Sequence, residues 1–268
     1  MDLMQYGVTH NIEDEVSYRF VAYLIGLLLA FESMLLLACC CVSIIYGERD
    51  LMSFIVSFAV CLSVSAILLV YGRRKKCAMS RNEGYIVVAL SWVFFSVFGM
   101  VPYLWGGFIP NITDAFFETM SGFTTTGATI LDNIESMPHG ILFWRSLTQW
   151  IGGLGIVCFT IVLLPGFGAS SQMLYLSEAT GVTHNKLYPK TRVMARYIFM
   201  VYILLTAIES ALLMAGGMGL FDALCHSMTT TATGGFSTKQ ESIAYWHSPY
   251  MEYVVSIFML LSAINFSL

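Results

Sequence analysis

The residues with the most chemical promise in this chain are threonines and glycines gathered in two short segments. The first reads DAFFETMSGFTTTGATILD from Asp114 to Asp132, and the second reads DALCHSMTTTATGGFSTK from Asp222 to Lys239. Each opens with about ten residues suited to a short helix, Asp114 to Phe123 and Asp222 to Thr231. An Asp stands at each start, where a carboxylate suits the free N–H groups and the helix dipole. Each then continues as Thr124–Thr125–Thr126–Gly127–Ala128 or Ala232–Thr233–Gly234–Gly235–Phe236. Backbone carbonyls in such a strand can replace the water shell of a dehydrated cation. Glycine permits the positive φ that turns successive carbonyls toward one axis. No acidic residue lies in either strand, which argues against a divalent site built from carboxylates and for a monovalent ion read by carbonyls. The candidate ion-binding residues are Thr125, Thr126, Gly127, Thr233, Gly234 and Gly235, acting through their backbone.

The two segments align without gaps. Asp222 follows Asp114 by 108 residues, and at that offset Ala115 meets Ala223, Met120 meets Met228, Thr125 meets Thr233 and Gly127 meets Gly235. Beyond them the offset slips by about two, so that Gly152 and Gly153 face Ser262 and Ala263. A supersecondary unit that recurs in this way is an architectural signal.

The elements that hold these segments must sit in lipid. Hydrophobic residues make up 57% of the chain and charged residues 11%, against about 25% charged in a soluble domain. Apolar stretches run over Tyr18–Tyr46, Leu51–Tyr71, Tyr85–Phe108, Ile141–Leu164 and Tyr197–Leu220, and a sixth begins near Tyr250. The five complete ones reach the length a spanning helix needs, about 20 residues, and lipid requires them to be helical. The fold class expected is an all-α integral membrane protein. Each Thr/Gly segment is too short to cross and return as helix, so it must dip in and come back as extended chain. Nine of the thirteen Lys and Arg residues lie in two clusters, Arg73–Arg81 and Lys186–Arg196. These put the linking loops and the N-terminus inside, and both Thr/Gly segments outside. The net charge of −4 is too small to suggest nucleic acid.

Outside the two segments, Glu32 and Glu209 are intramembrane carboxylates, open to ion or proton coupling or to hydrogen bonding between helices. Arg145 is placed to snorkel or to pair with Glu118 behind the first strand, and a structural brace is the favoured role. His226 precedes the second strand and suits a polar contact better than a metal. Asn111–Ile112–Thr113 fits a glycosylation sequon. Tyr46, Tyr103 and Trp105 read as interfacial anchors. The seven cysteines form no C-x-x-C pair and are expected to be buried apolar groups. No nucleophile elbow, zincin motif or phosphate loop is present, so no enzyme activity is expected.

The run PHGILFWRSLTQWIGGLGI from Pro138 to Ile156, with SGFTTTGAT and TATGGFST, resembles TrkH-type potassium transporters of the Trk/Ktr/HKT superfamily. The resemblance implies two leading helices, then helix–pore loop–helix repeats, four in a complete protein, around one ion path. It divides the chain into 1–80 (polar N-terminus and leading helices), 81–165 (first repeat), 166–190 (cytoplasmic linker) and 191–268 (second repeat, cut short). It implies filter glycines at Gly127 and Gly235 and potassium as the transported ion, with no covalent cofactor. Potassium uptake across the inner membrane follows, the N-terminus inside. The partners it implies are a second copy of the complete protein and a cytosolic nucleotide-binding regulatory subunit. With two loops rather than four, and an end inside the sixth span, the chain is expected to be a partial sequence that forms no selective pore alone. A non-conducting assembly subunit and, more remotely, a membrane hydrolase are the other classes left open.

Overall fold

A computed structural model describes residues 16–72, 81–163 and 191–263. The chain folds into helices named α1 (Tyr18–Tyr46), α2 (Leu51–Tyr71), α3 (Arg81–Gly99), α4 (Val101–Trp105), α5 (Ile112–Phe123), α6 (His139–Leu163), α7 (Thr191–Ala215), α8 (Leu220–Thr231) and α9 (Pro249–Ala263). Among the described residues four stretches are long and apolar enough to cross a membrane: Tyr18–Tyr46, Leu51–Tyr71, Glu83–Trp105 and Arg196–Ala215. The first two coincide with the apolar runs of the sequence. The third, expected as one helix over Tyr85–Phe108, is divided at Met100. Pro102 lies in the first turn of α4 and has no N–H to continue the helical ladder. Residues 73–80, four of them basic, and the linker 166–190, on which orientation and the domain division rest, lie outside the described residues.

Helix α1 is the post of the first half. Leu24, Leu29 and Leu36 on it are fully buried. Ser65 of α2 donates from Oγ to the Gly26 carbonyl at 2.7 Å, so that α1 and α2 pack closely. Phe95 of α3, Phe123 of α5 and Trp144 of α6 meet edge to face, with centroids 5.2 and 6.1 Å apart. Trp144 Nε1 also donates to the Gly99 carbonyl at 2.9 Å. A buried indole keeps its one donor paired in this way.

The α1–α2 link reaches the start of α6. Gly47 closes α1 in the left-handed region (φ 65°) and donates to the Ser43 carbonyl at 2.9 Å. Glu48 accepts from the His139 backbone N–H, and its other oxygen lies 2.8 Å from His139 Nδ1. Tyr46 stacks on the His139 ring at 3.9 Å. Acceptors at a helix start satisfy its free N–H groups. The second half has its own smaller core of Leu213, Met218, Ala223, Met251, Val254 and Phe258. It joins the first half along α6: Trp150 Nε1 donates to Thr206 Oγ1 at 3.1 Å, and Tyr202 OH to the Trp150 carbonyl at 2.9 Å.

Tyr103, expected as an interfacial anchor, is buried, 1% exposed. The turn after Met100 directs it into the core, whereas Tyr46 and Trp105 remain exposed. The side chains of Cys39, Cys40, Cys61 and Cys225 are buried and unpaired with other cysteines, Cys41 is exposed, and those of Cys77 and Cys158 lie outside the described side chains.

Candidate filter

The two Thr/Gly segments share their backbone turns and the positions of their left-handed residues. Helix α5 ends at Phe123 and α8 at Thr231. After each, the chain turns back on the last helical turn. Thr125 N–H donates to the Gly122 carbonyl at 3.0 Å and Thr126 N–H to Ser121 at 2.9 Å. In the second segment Thr233 N–H donates to Thr230 at 2.8 Å and Gly234 N–H to Thr229 at 2.9 Å. These are the same positions at the offset of 108 residues between Asp114 and Asp222. The φ angles repeat as well: 53° at Thr125 and 75° at Gly127, 54° at Thr233 and 83° at Gly235. Left-handed backbone at a threonine costs roughly 1–2 kcal/mol, and strain of this kind collects where a backbone has a task. Alternating handedness is what lets successive carbonyls of a strand face one way.

The helix starts differ from expectation. Asn111 and Gly219, not Asp114 and Asp222, occupy the positions ahead of α5 and α8. Asn111 accepts from the Thr113 N–H at 3.0 Å, which uses the first residue of the sequon as a helix cap. Asp114 and Asp222 lie in the first turn, where their charge still suits the dipole. Asp222 accepts from Thr238 Oγ1 at 2.6 Å and so ties α8 to the chain that leaves the strand.

Behind the strands lies a buried polar layer. Arg145 is 1% exposed and Glu118 0%, and Arg145 Nε donates to Glu118 Oε1 at 2.8 Å. Arg145 also donates to the Ser237 carbonyl at 3.0 Å and to Thr129 Oγ1 at 3.2 Å, with Cζ 4.2 Å from the centre of the Phe236 ring. The brace expected of Arg145 is therefore present, and it spans both segments. Glu118 further accepts from Thr129 Oγ1 at 2.9 Å and Ile130 N–H at 3.1 Å. His226 stands where Glu118 does in the other repeat. Its Nδ1 lies 2.7 Å from the Asp222 carbonyl, which must accept, so Nε2, 2.9 Å from Ser237 Oγ, is the acceptor in the neutral ring. His226 makes the polar contacts expected of it.

Glu32 and Glu209 are both fully buried. Glu32 is reached by Cys61 Sγ at 3.9 Å and lies next to Gly99. Glu209 faces Thr230 and Thr231 of α8. One residue of this layer escaped the sequence: Gln149, fully buried on α6, accepts from the Phe236 N–H at 3.0 Å. Its only signal there is spacing, since Arg145, Gln149 and Gly152 share one face of a helix.

A family model described as TrkH: Cation transport protein matches residues 50–268. The chain belongs to the TrkH family. It is 37% identical over 254 residues to the Trk system potassium uptake protein TrkH of Salmonella typhimurium, covering 94% of this chain and 52% of that protein. It is 35% identical over 253 residues to the Trk system potassium uptake protein TrkG of Escherichia coli K12, covering 93% of this chain and 52% of that protein. Among solved structures it matches the potassium transporter TrkH from Vibrio parahaemolyticus with a TM-score of 0.78 at 33% identity, over 94% of this chain and 51% of that one. The chain thus spans about half the length of these TrkH-family relatives. Its fold class is all-α, it is an integral membrane protein, and its family is one of transporters rather than enzymes.

Proposed function

We propose that this chain supplies two of the four pore loops of a potassium uptake transporter, and that Thr125, Thr126, Gly127, Thr233, Gly234 and Gly235 offer backbone carbonyls to the ion. The observation that carries this reading is the repetition of left-handed backbone at Thr125 and Gly127 and again at Thr233 and Gly235. Two independent stretches hold the same strained geometry, each behind a short helix whose negative end the strand follows. The names of the relatives, potassium uptake proteins, support the choice of ion.

In this proposal the domain division at 1–80, 81–165, 166–190 and 191–268 stands as read from the sequence, in an inner membrane with the N-terminus inside. The complete protein is a homodimer that docks a cytosolic nucleotide-binding regulatory subunit. Flux measurements test the function. Residues 1–268 are joined to the C-terminal half of the V. parahaemolyticus relative and reconstituted in liposomes, beside residues 1–268 alone. Selective rubidium uptake by the joined protein, and none by the short chain, is expected. Absence of uptake by a folded joined protein overturns the proposal, and selective uptake by the short chain overturns the need for four loops.

A further inference from the structure

The two strands are held from behind by different means. In the first repeat Ser121 Oγ of the pore helix donates to the Ala128 carbonyl at 2.6 Å, so the helix pins its own strand. The equivalent of Ser121 is Thr229, and the equivalent of Ala128 is Phe236. Thr229 makes no such pin: its Oγ1 turns back to the His226 carbonyl at 3.0 Å. Instead the Phe236 N–H donates to Gln149 Oε1 at 3.0 Å, from a helix of the other repeat, 87 residues away in sequence. Gln149 is 0% exposed.

The orientation of this amide follows from chemistry. Phe236 offers a donor, so the oxygen must face it, and the nitrogen is turned the other way. Nε2 has no hydrogen-bond partner among the described residues. The amide group presses on Gly234, where any side chain would collide with it, and Nε2 lies 3.8 Å from the place a Cβ of Gly127 would take. Gly127 and the Gly234 carbonyl are themselves in contact. One buried amide therefore stands at the seam where the two strands meet, one end engaged and a donor to spare.

We propose that Gln149 is the positioning residue of the second strand: it sets where Gly234 and Gly235 stand relative to Gly127, and ion discrimination depends on it. The positional part stands on geometry, and the part about discrimination rests on the proposed function. Two measurements separate them. The first is amide hydrogen exchange on purified residues 1–268 in detergent. Gln149→Leu removes the acceptor, and exchange of the Phe236 amide is expected to rise roughly tenfold, the effect of one lost hydrogen bond. Protection in α1 should not change. Gln149→Glu keeps an oxygen at Oε1 and should retain the protection of Phe236. Should the leucine variant fail to fold, Gln149→Met, of similar length, takes its place. Unchanged protection of Phe236 in the folded leucine or methionine variant overturns the positional role.

The second is competition of sodium with rubidium uptake in the joined transporter. Gln149→Leu is expected to weaken discrimination about tenfold, as would a strand displaced by about 1.4 kcal/mol of lost restraint. Wild-type discrimination in a variant whose Phe236 amide has been freed overturns the link to selectivity. Absence of uptake by the wild type counts against the proposed function alone, since the exchange result still decides the position.

Discussion

Replacing Gly127 and Gly235 by serine, one at a time, distinguishes two costs that the backbone of the candidate filter imposes. Both glycines have φ in the left-handed region, 75° and 83°, so both substitutions carry the roughly 1–2 kcal/mol that an L-residue incurs there. Their surroundings differ. A Cβ at Gly235 meets nothing within 4 Å, whereas a Cβ at Gly127 runs into the backbone carbonyl of Gly234. Backbone of a second strand cannot rotate away as a flexible side chain would, so Gly127→Ser adds an overpacking cost of about 1–3 kcal/mol. Each 1.4 kcal/mol is tenfold in an equilibrium. If this strain falls on the potassium-selective arrangement, Gly235→Ser should lose discrimination of potassium from sodium by about tenfold, and Gly127→Ser by about a further tenfold. The assay is rubidium uptake against increasing sodium in the joined transporter, with surface expression measured alongside. Equal losses at the two positions would refute the steric reasoning. Unchanged selectivity of Gly127→Ser would remove Gly127 from the filter.

Two further outcomes are expected. Arg145→Leu leaves the buried Glu118 carboxylate without its cation and should destabilise the protein by about 3–5 kcal/mol, while adding Glu118→Gln should recover much of that loss; thermal unfolding in detergent checks both, and a leucine variant that melts with the wild type would show the pair to be idle. Single cysteines placed at Lys76 and Asp132 of a cysteine-free background should differ toward an impermeant thiol reagent added outside intact cells, with only position 132 labelled, and labelling of position 76 from outside would reverse the orientation.

Much of this architecture is legible in the residues, and the reason is periodicity. The bounds of α1 and α2 follow from where apolar residues stop, because lipid tolerates little else. The strands are legible because Thr125, Gly127 and their counterparts recur in register, and recurrence survives where single motifs are ambiguous. The pairing of Arg145 with Glu118 was within reach because a buried guanidinium needs a carboxylate and few exist. Gln149 was not. Its partner is a backbone N–H, which every residue but proline has, so nothing in Phe236 announces the contact. Tyr103 was misplaced for a similar reason. Its aromatic type fits both an interface and a core, and the turn set by Met100 and Pro102 decides between them. The helix starts differ from expectation because Asn111 is as fit for the position as Asp and Gly219 only slightly less so, and only the backbone separates a cap from a first-turn acid.

The tie between Glu48 and His139 joins residues 91 apart in sequence. Ribosomes deliver chains from the N-terminus, and early segments fold before late ones exist. The α1–α2 hairpin and its acidic link are synthesised well before α6. When α6 arrives, the depth of its first turn is no longer free: Glu48 receives the His139 N–H and ring, and Tyr46 closes over it. The same helix carries Arg145 and Gln149, whose hydrogen bonds reach both segments. The leading hairpin touches no candidate filter residue through this tie, yet it holds the first turn of the helix whose Arg145 and Gln149 reach both segments. Lengthening the link by a residue would be felt as a vertical error some distance away, in a part of the protein synthesised much later.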